Sequence, residues 1–238
     1  MNIALIGYGK MGRAIEEIAL ERGHAIVLKT SIDNLEDNTE ENVRKADVAI
    51  EFTGPESAYG NIMLCLKAGV PVVSGSTGWL DKYEEIKEYC LQKGGSFLYA
   101  SNFSVGVNIF FEVNRRLAEL MAPHPDYDVR ITEIHHTEKK DAPSGTAISL
   151  AEQIQGKLPR KKRWVNHNSD NLDELSILSQ RTDPAPGTHL VRYHSAIDDI
   201  EIIHTAHNRK GFATGAVLAA EYIREKKGIF QMKDVLGF

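Results

Sequence analysis

Apolar residues follow two rhythms along this chain, and the change comes near residue 104. Before it, apolar runs at Ile3 to Ile6, Val48 to Phe52, Val70 to Val73 and Phe97 to Ala100 alternate with stretches of helical spacing. Runs apolar on both faces are what a parallel sheet needs when helices cover it from either side. Met11, Ile15, Ile18 and Ala19 share one face of a predicted helix that ends at Gly23, and Ala25 to Leu28 return as a second strand. A further helix reaches Ala68-Gly69, and another spans about Asp81 to Gln92. The first hundred residues therefore predict a repeating βα pattern.

After Ser104 the repeat breaks. A helix is predicted from about Val107 to Met121, and then Tyr127, Val129 and Ile131 alternate with Asp128, Arg130 and Thr132, the period of a half-buried strand. Ile148, Ala151 and Ile154 recur at helical spacing. Thr188 to His194 and Ile200 to Ala206 flank a short connection, as in an antiparallel hairpin. Lys157 to Gly187, with Pro184-Ala185-Pro186, reads mainly as loop. Phe212 to Arg224, carrying Ala216, Ala219, Ala220 and Ile223, is one more helix, expected to rejoin the first domain.

Composition narrows the class. With 238 residues, 42% hydrophobic and 26% charged, the chain can build one large core or two modest ones. A net charge of −5 argues against a dedicated nucleic-acid binder. The basic run Arg160 to Arg163 follows Pro159 and reads as a solvated loop. The two cysteines, Cys65 and Cys90, have neither metal-ligand spacing nor a disulfide framework, which fits reducing cytoplasm. No apolar run is long enough to span a bilayer, and Met1 enters the first strand without a basic leader, so neither a membrane partner nor processing is expected.

The first strand leads straight into Gly7-Tyr8-Gly9-Lys10-Met11-Gly12. This is GxGxxG in a strand–turn–helix–strand context, in which the first glycine makes the turn, the second admits a pyrophosphate and the third lets helix pack on strand. The second strand ends in Lys29-Thr30-Ser31, and the nearest acid, Asp33, comes later. A cation there suits the ribose phosphate of NADPH, while NADH remains possible. Ligands of open α/β sheets sit beyond the carboxyl ends of the strands, so Thr53, Gly75, Thr77 and Asn102 are candidate nicotinamide-side contacts.

The densest chemistry lies in Glu133 to Thr146, EIHHTEKKDAPSGT, a strand-to-helix connection with Ser144, Gly145 and Thr146 at the helix start. Such a start offers unpaired N–H groups and a positive dipole end to carboxylate or phosphate, and Lys139 and Lys140 add charge. An imidazole titrates near neutrality and can protonate a developing carbanion, whereas a lysine is suited to holding an anion. No metal is expected, because the consecutive His135 and His136 point to opposite faces of a strand.

GYGKMG, FTGPES, GSTGW, SNFSVGVN, EIHHTEKKDAPSGTA and RKGFATGA, in this order over nearly the whole chain, resemble the dihydrodipicolinate reductase family of bacterial lysine biosynthesis. The resemblance implies an α/β fold: a Rossmann-type parallel-sheet nucleotide-binding domain from residues 1–104 plus 209–238, and a second α+β domain over 105–208 carrying a mixed sheet for substrate binding and oligomerisation, as a homotetramer. It also implies NAD(P)H-dependent reduction of 4-hydroxy-tetrahydrodipicolinate, a cyclic dicarboxylate, in lysine and diaminopimelate biosynthesis.

Carried over by motif, His135 is the implied proton donor and Lys139 steadies the reacting substrate. His136, Lys139, Gly145 and Thr146 match the dicarboxylate contacts. Gly7, Lys10, Met11, Gly12, Phe52, Thr53, Gly75, Thr77, Ala100, Asn102 and Phe103 match cofactor positions, to which the glycine turn adds Gly9 and the second strand Lys29. Ser104 and Arg209 are the expected hinges. The acid that the family commonly places after the second strand is missing. Two rivals stand: a related two-domain dehydrogenase of an amino acid or semialdehyde, and a nucleotide-sensing regulator using Arg160 to Arg163 on nucleic acid.

Overall fold

The computed structural model describes every residue except Arg209, so the expected hinge there lies outside the described residues. In chain order the elements are β1 (Asn2–Ile6), α1 (Lys10–Glu21), β2 (Ala25–Thr30), α2 (Glu40–Val43), β3 (Val48–Glu51), α3 (Pro55–Lys67), β4 (Val72–Ser74), α4 (Tyr83–Gln92), β5 (Ser96–Tyr99) and α5 (Val105–Met121). There follow β6 (Asp128–His135), α6 (Gly145–Gln155), β7 (Arg163–Val165), β8 (Glu174–Arg181), β9 (Thr188–His194), β10 (Asp199–Thr205), α7 (Lys210–Ile223), β11 (Gly228–Phe230) and α8 (Met232–Leu236). Two compact units result, Met1–Val105 with Lys210–Phe238, and Gly106–Arg209.

The first unit is a six-stranded sheet in the order β11-β5-β4-β3-β1-β2, parallel at every pairing. Ile3, Leu5, Val48, Ile50, Val73 and Leu98 pack with α1 and α7, while Ala4, Ile6, Ala49, Val72 and Phe97 pack with α3 and α4. Both faces are covered, which is why the strand sequences are unbroken apolar runs. α7 joins this unit through Ala213, Ala216, Val217, Ala219, Ala220 and Ile223. β11 completes the edge, paired with β5.

The second unit is a five-stranded mixed sheet in the order β10-β9-β6-β8-β7. β6 is antiparallel to β9 and parallel to β8. Its alternating residues Val129 and Ile131 join Leu175, Ile177, Val191 and Tyr193 in a core closed by α6 and by Phe110, Ala118 and Met121 of α5.

Two expectations fail here. Lys157 to Gly187 is not mainly loop: it contains β7 and β8, and β8 lies next to β6 inside the sheet. Within β8 only Leu175, Ile177 and Leu178 are apolar, a short signal between polar stretches, and burial against neighbours distant in sequence overrides that local polarity. Nor is the basic run solvated throughout: Lys162 and Arg163 are exposed, but Arg160 is half-buried and Lys161 buried. Lys161 is 3% exposed, with its ammonium 2.7 Å from the Glu174 carbonyl and 2.6 Å from Asp128 Oδ1. Arg160 donates to the Ala122 carbonyl at 3.0 Å and the Tyr127 carbonyl at 3.3 Å, so both cations brace the fold.

Candidate active site

The glycine turn of the first unit is built by backbone. Gly7 has φ +98°, and a Cβ there would stand 2.0 Å from the Phe52 carbonyl oxygen. The N–H groups of Gly7 and Tyr8 both donate to the Thr30 carbonyl, at 3.0 and 2.7 Å, tying the ends of β1 and β2 together. A Cβ on Gly12 would lie 2.6 Å from the Gly7 carbonyl oxygen, the close helix–strand approach that the third glycine serves. At Gly9 nothing lies within 4 Å of that position, and α1 begins there without a side-chain cap. Open space before the bare N–H groups of a 12-residue helix fits the pyrophosphate of a dinucleotide. Lys10 is exposed and Met11 half-buried at this start.

Beyond the other strand ends, local packing accounts for part of what the sequence singles out. Glu51 is fully buried and accepts from Ser74 Oγ at 2.6 Å, Ser76 Oγ at 2.7 Å and the Thr53 N–H at 2.8 Å. The Thr53 hydroxyl also bonds to it, so this threonine belongs to a network around a buried acid. A Cβ on Gly75 would meet the Phe52 ring at 2.1 Å, and that ring lies 5.6 Å from Phe103. Gly75 thus has a packing requirement of its own. Asn102 Oδ1 accepts from the Ser104 N–H at 2.9 Å, Thr77 is exposed, and Ala100 packs half-buried against the sheet.

Lys29 is ion-paired. Its ammonium lies 3.1 Å from Glu16 Oε1 and 4.8 Å from the centre of the Tyr8 ring, and the Tyr8 hydroxyl bonds the other Glu16 oxygen. The bond from Tyr8, then the one from Lys29, holds the Glu16 carboxyl below its usual range. Arg13 also lies over Tyr8, 5.8 Å from the ring centre.

In the second unit β6 carries the chemistry. Its alternation continues past Val129 and Ile131 to place Glu133 and His135 on the inward face, 0% and 7% exposed. β9 sets His189 opposite Glu133, and β8 sets Arg181 opposite His135. His135 Nδ1 pairs with Glu133 Oε2, and Arg181 Nη1 lies 3.0 Å from Glu133 Oε1. Burial works against the Glu133 anion, but bonds from His135, Ser179 and Arg181 win and hold its carboxyl at about 2.

The His135 and His189 rings meet edge-on with centres 5.1 Å apart. Burial, and secondarily His135, push His189 down to about 4, leaving it neutral at neutral pH. Its Nε2 is 3.0 Å from Ser144 Oγ, which accepts from the Ala147 N–H at 3.2 Å and so caps α6.

Donor atoms of Glu133, His135 and His189 lie within 4.8 Å of one another, a spacing that could hold a metal ion. The Arg181 guanidinium on the same carboxylate is a cation already in place and disfavours a second.

His136, the next residue, is half-buried and lines an open cavity of about 500 Å³ with Thr137, Glu138, Asp183, Pro184, Ala185, Pro186 and Asn208. Thr137 closes this loop on Asp183, by N–H at 3.1 Å and hydroxyl at 2.7 Å. The Lys139 ammonium lies 2.8 Å from both carboxylate oxygens of Asp141, and this bond holds the Asp141 carboxyl below its usual range. Arg181 donates to the Lys139 carbonyl at 3.3 Å and the Asp141 carbonyl at 2.6 Å. Gly145, exposed, and Thr146, half-buried, are the first residues of α6, where N–H groups have no helix partner.

His135, His136, Lys139, Gly145 and Thr146 thus follow one another along a single connection from β6 to α6. Glu133, Arg181 and His189 complete the cluster and were missed as functional. Glu133 and His189 left a signal, polar residues at inward positions of alternating strands, whereas Arg181 sat in a stretch read as loop.

Two family models match the chain: dihydrodipicolinate reductase, N-terminus, over residues 1–103, and dihydrodipicolinate reductase, C-terminus, over residues 106–236. The chain is 53% identical over 237 residues to a 4-hydroxy-tetrahydrodipicolinate reductase of Christiangramia forsetii, covering 100% of this chain and 98% of that one. It is 36% identical to the reductase of the same name from Methanosarcina barkeri, over 99% of this chain and 89% of that one. Among solved structures, the dipicolinate-bound dihydrodipicolinate reductase of Paenisporosarcina sp. TG-14 superposes with a TM-score of 0.78 at 24% identity, covering 97% of each chain, a likeness of fold. With both halves matched and a relative similar over the full length, the chain belongs to the dihydrodipicolinate reductase family.

Proposed function

We propose that this chain reduces 4-hydroxy-tetrahydrodipicolinate to tetrahydrodipicolinate at the expense of a reduced pyridine nucleotide, in lysine and diaminopimelate biosynthesis. The observation that carries the reading is the 53% identity, over the whole chain, to a reductase of that name. The rival dehydrogenase of an amino acid or semialdehyde shares the glycine turn but gives no reason for a helix start, a lysine and a buried imidazole on one connection. The regulator loses its basis with Arg160 and Lys161 bound into the fold.

A bound nicotinamide supplies the hydride. Gly7, Gly9, Lys10, Met11 and Gly12 hold the pyrophosphate at the start of α1. Phe52, Thr53, Gly75, Thr77, Ala100, Asn102 and Phe103 line the far ends of the strands. Lys29 takes the ribose phosphate, which favours NADPH over NADH, and must leave Glu16 to do so.

In the second unit Gly145 and Thr146 offer N–H groups to one carboxylate of the ring, while His136 and Lys139 hold the other negative charge. Lys139 exchanges Asp141 for substrate. Hydride addition to the conjugated ring leaves an electron-rich carbon, and His135 delivers the proton that completes the reduction; water is lost from the hydroxylated ring in the overall change.

We place the enzyme in the cytoplasm, supported by two buried free thiols; among the described residues no helix is long and apolar enough to cross a membrane. A homotetramer through the second unit's sheet is supported by the face carrying Ile134, Leu190 and Ile203, which α5 and α6 do not cover. The test is a substrate panel with both cofactors, read by loss of reduced-nicotinamide absorbance. Turnover of the cyclic dicarboxylate and none of amino acids or semialdehydes is expected; the reverse overturns the assignment.

A further inference from the structure

One buried group has no part in the chemistry above. Glu133 is fully buried, ionised and placed against the ring nitrogen of His135 that faces away from Gly187. Resting on the reading of His135 as proton donor, we propose that Glu133 is its positioning residue. Braced by Arg181, the carboxylate keeps a proton on His135 Nδ1 and aims Nε2 at the space left by Gly187.

Three observations converge on this. The first is Arg181. Its guanidinium bonds Glu133 at 3.0 Å and the carbonyls of Gln180, Lys139 and Asp141 at 2.8, 3.3 and 2.6 Å, so the carboxylate has little freedom to swing away. One arginine thereby couples the orientation of His135 to the loop that presents Lys139. The second is Gly187, where a Cβ would lie 3.0 Å from His135 Nε2 and 3.3 Å from Cδ2. With Nδ1 engaged by an anion, Nε2 is the nitrogen left to deliver a proton, and only a hydrogen atom stands at that position of the chain.

The third is the surrounding charge. β6 contributes Glu133, β8 Arg181 and Ser179, β9 His189, and the connecting loop Lys139; His204 of β10 lies beyond His189. His189 is neutral, and Arg181 and Lys139 are cations that oppose a third positive charge. Glu133 is therefore the anion placed to favour the imidazolium that a proton donor requires. An acid protonated before each turnover loses activity as pH rises, so removal of the carboxylate moves that descending limb to lower pH.

The experiment compares Glu133→Gln, Gly187→Ala and His135→Ala with the parent chain, following kcat and KM against pH with NADPH. Glu133→Gln is expected to lower kcat about 10- to 100-fold with KM changed less than about threefold, and to move the descending limb down by about one pH unit or more. Gly187→Ala is expected to lower kcat with the limb unmoved, because the ring is displaced while the charges stay.

Long-range ¹⁵N–¹H correlation on the parent chain, with the His135 ring neutral, is expected to show the Nδ1–H tautomer. It decides the matter even where Glu133→Gln does not fold. A folded Glu133→Gln chain with the parent kcat and pH limb, or a His135 ring protonated on Nε2 alone, overturns the proposal. Parent activity in His135→Ala instead sinks the proton-donor reading, and the tautomer then decides the positioning claim by itself.

Discussion

The two strand-to-helix connections that carry the candidate sites are built on different principles. From the end of β1 to the first turn of α1, three glycines do the work with backbone alone: Gly7 turns, Gly12 packs and Gly9 leaves room. Between β6 and α6 the backbone supplies only a helix start, and the chemistry comes from side chains completed by strands far along the chain. Arg181 lies 48 residues after Glu133, and His189 lies 45 after Ser144. A site made of main chain is written locally, whereas a site made of titratable side chains depends on who is brought alongside.

If that contrast is right, the two sites fail differently. The largest effect is expected at His135. His135→Ala should lower kcat by about 10²- to 10⁴-fold, about 3–5 kcal/mol of barrier, while raising KM far less and leaving nucleotide affinity unchanged. A parent kcat would remove the imidazole from the reaction.

A smaller effect is expected in the stability of the second unit. His189 titrates near 4 when folded against an ordinary 6.5, so the unfolded chain binds more protons between those values and stability falls as pH drops through this window. Glu133, at about 2 against 4.5, continues the loss at lower pH. The His189 share is at most about 3 kcal/mol. Urea midpoints should fall from pH 7 to pH 4.5, and His189→Gln should flatten that slope; an unchanged slope would put the titrating group elsewhere.

The smallest effect is expected in the first unit. Lys29 and Glu16 are surface partners, and Glu16→Gln would free the lysine for a ribose phosphate. The KM for NADPH should drop about three- to tenfold relative to that for NADH. Equal shifts for both cofactors would show that Lys29 does not read the phosphate.

Legibility follows the same division. The parallel sheet was visible because burial on both faces writes unbroken apolar runs such as Ile3 to Ile6. β6 and the hairpin of β9 and β10 were visible because one-sided burial writes a period of two. β8 was not. Four buried residues between Asp173 and Ser179 are too short a run to stand out from polar neighbours. With β8 went Arg181, and with Arg181 the brace on Glu133. Lys161 misled for a related reason: a cation in a basic run looks solvated until an acid and a carbonyl from other elements are seen to enclose it.

The amino-acid order by itself determined the glycine turn, the helix start at Ser144 and the pairing of an imidazole with a lysine on one short connection. These depend on φ, on spacing and on residue type within a dozen positions. The tertiary structure alone decided that Glu133, Arg181 and His189 surround His135, and that Lys29 is held by Glu16. Charges act over a few ångströms of space whatever their separation along the chain, and only the folded sheet sets those distances.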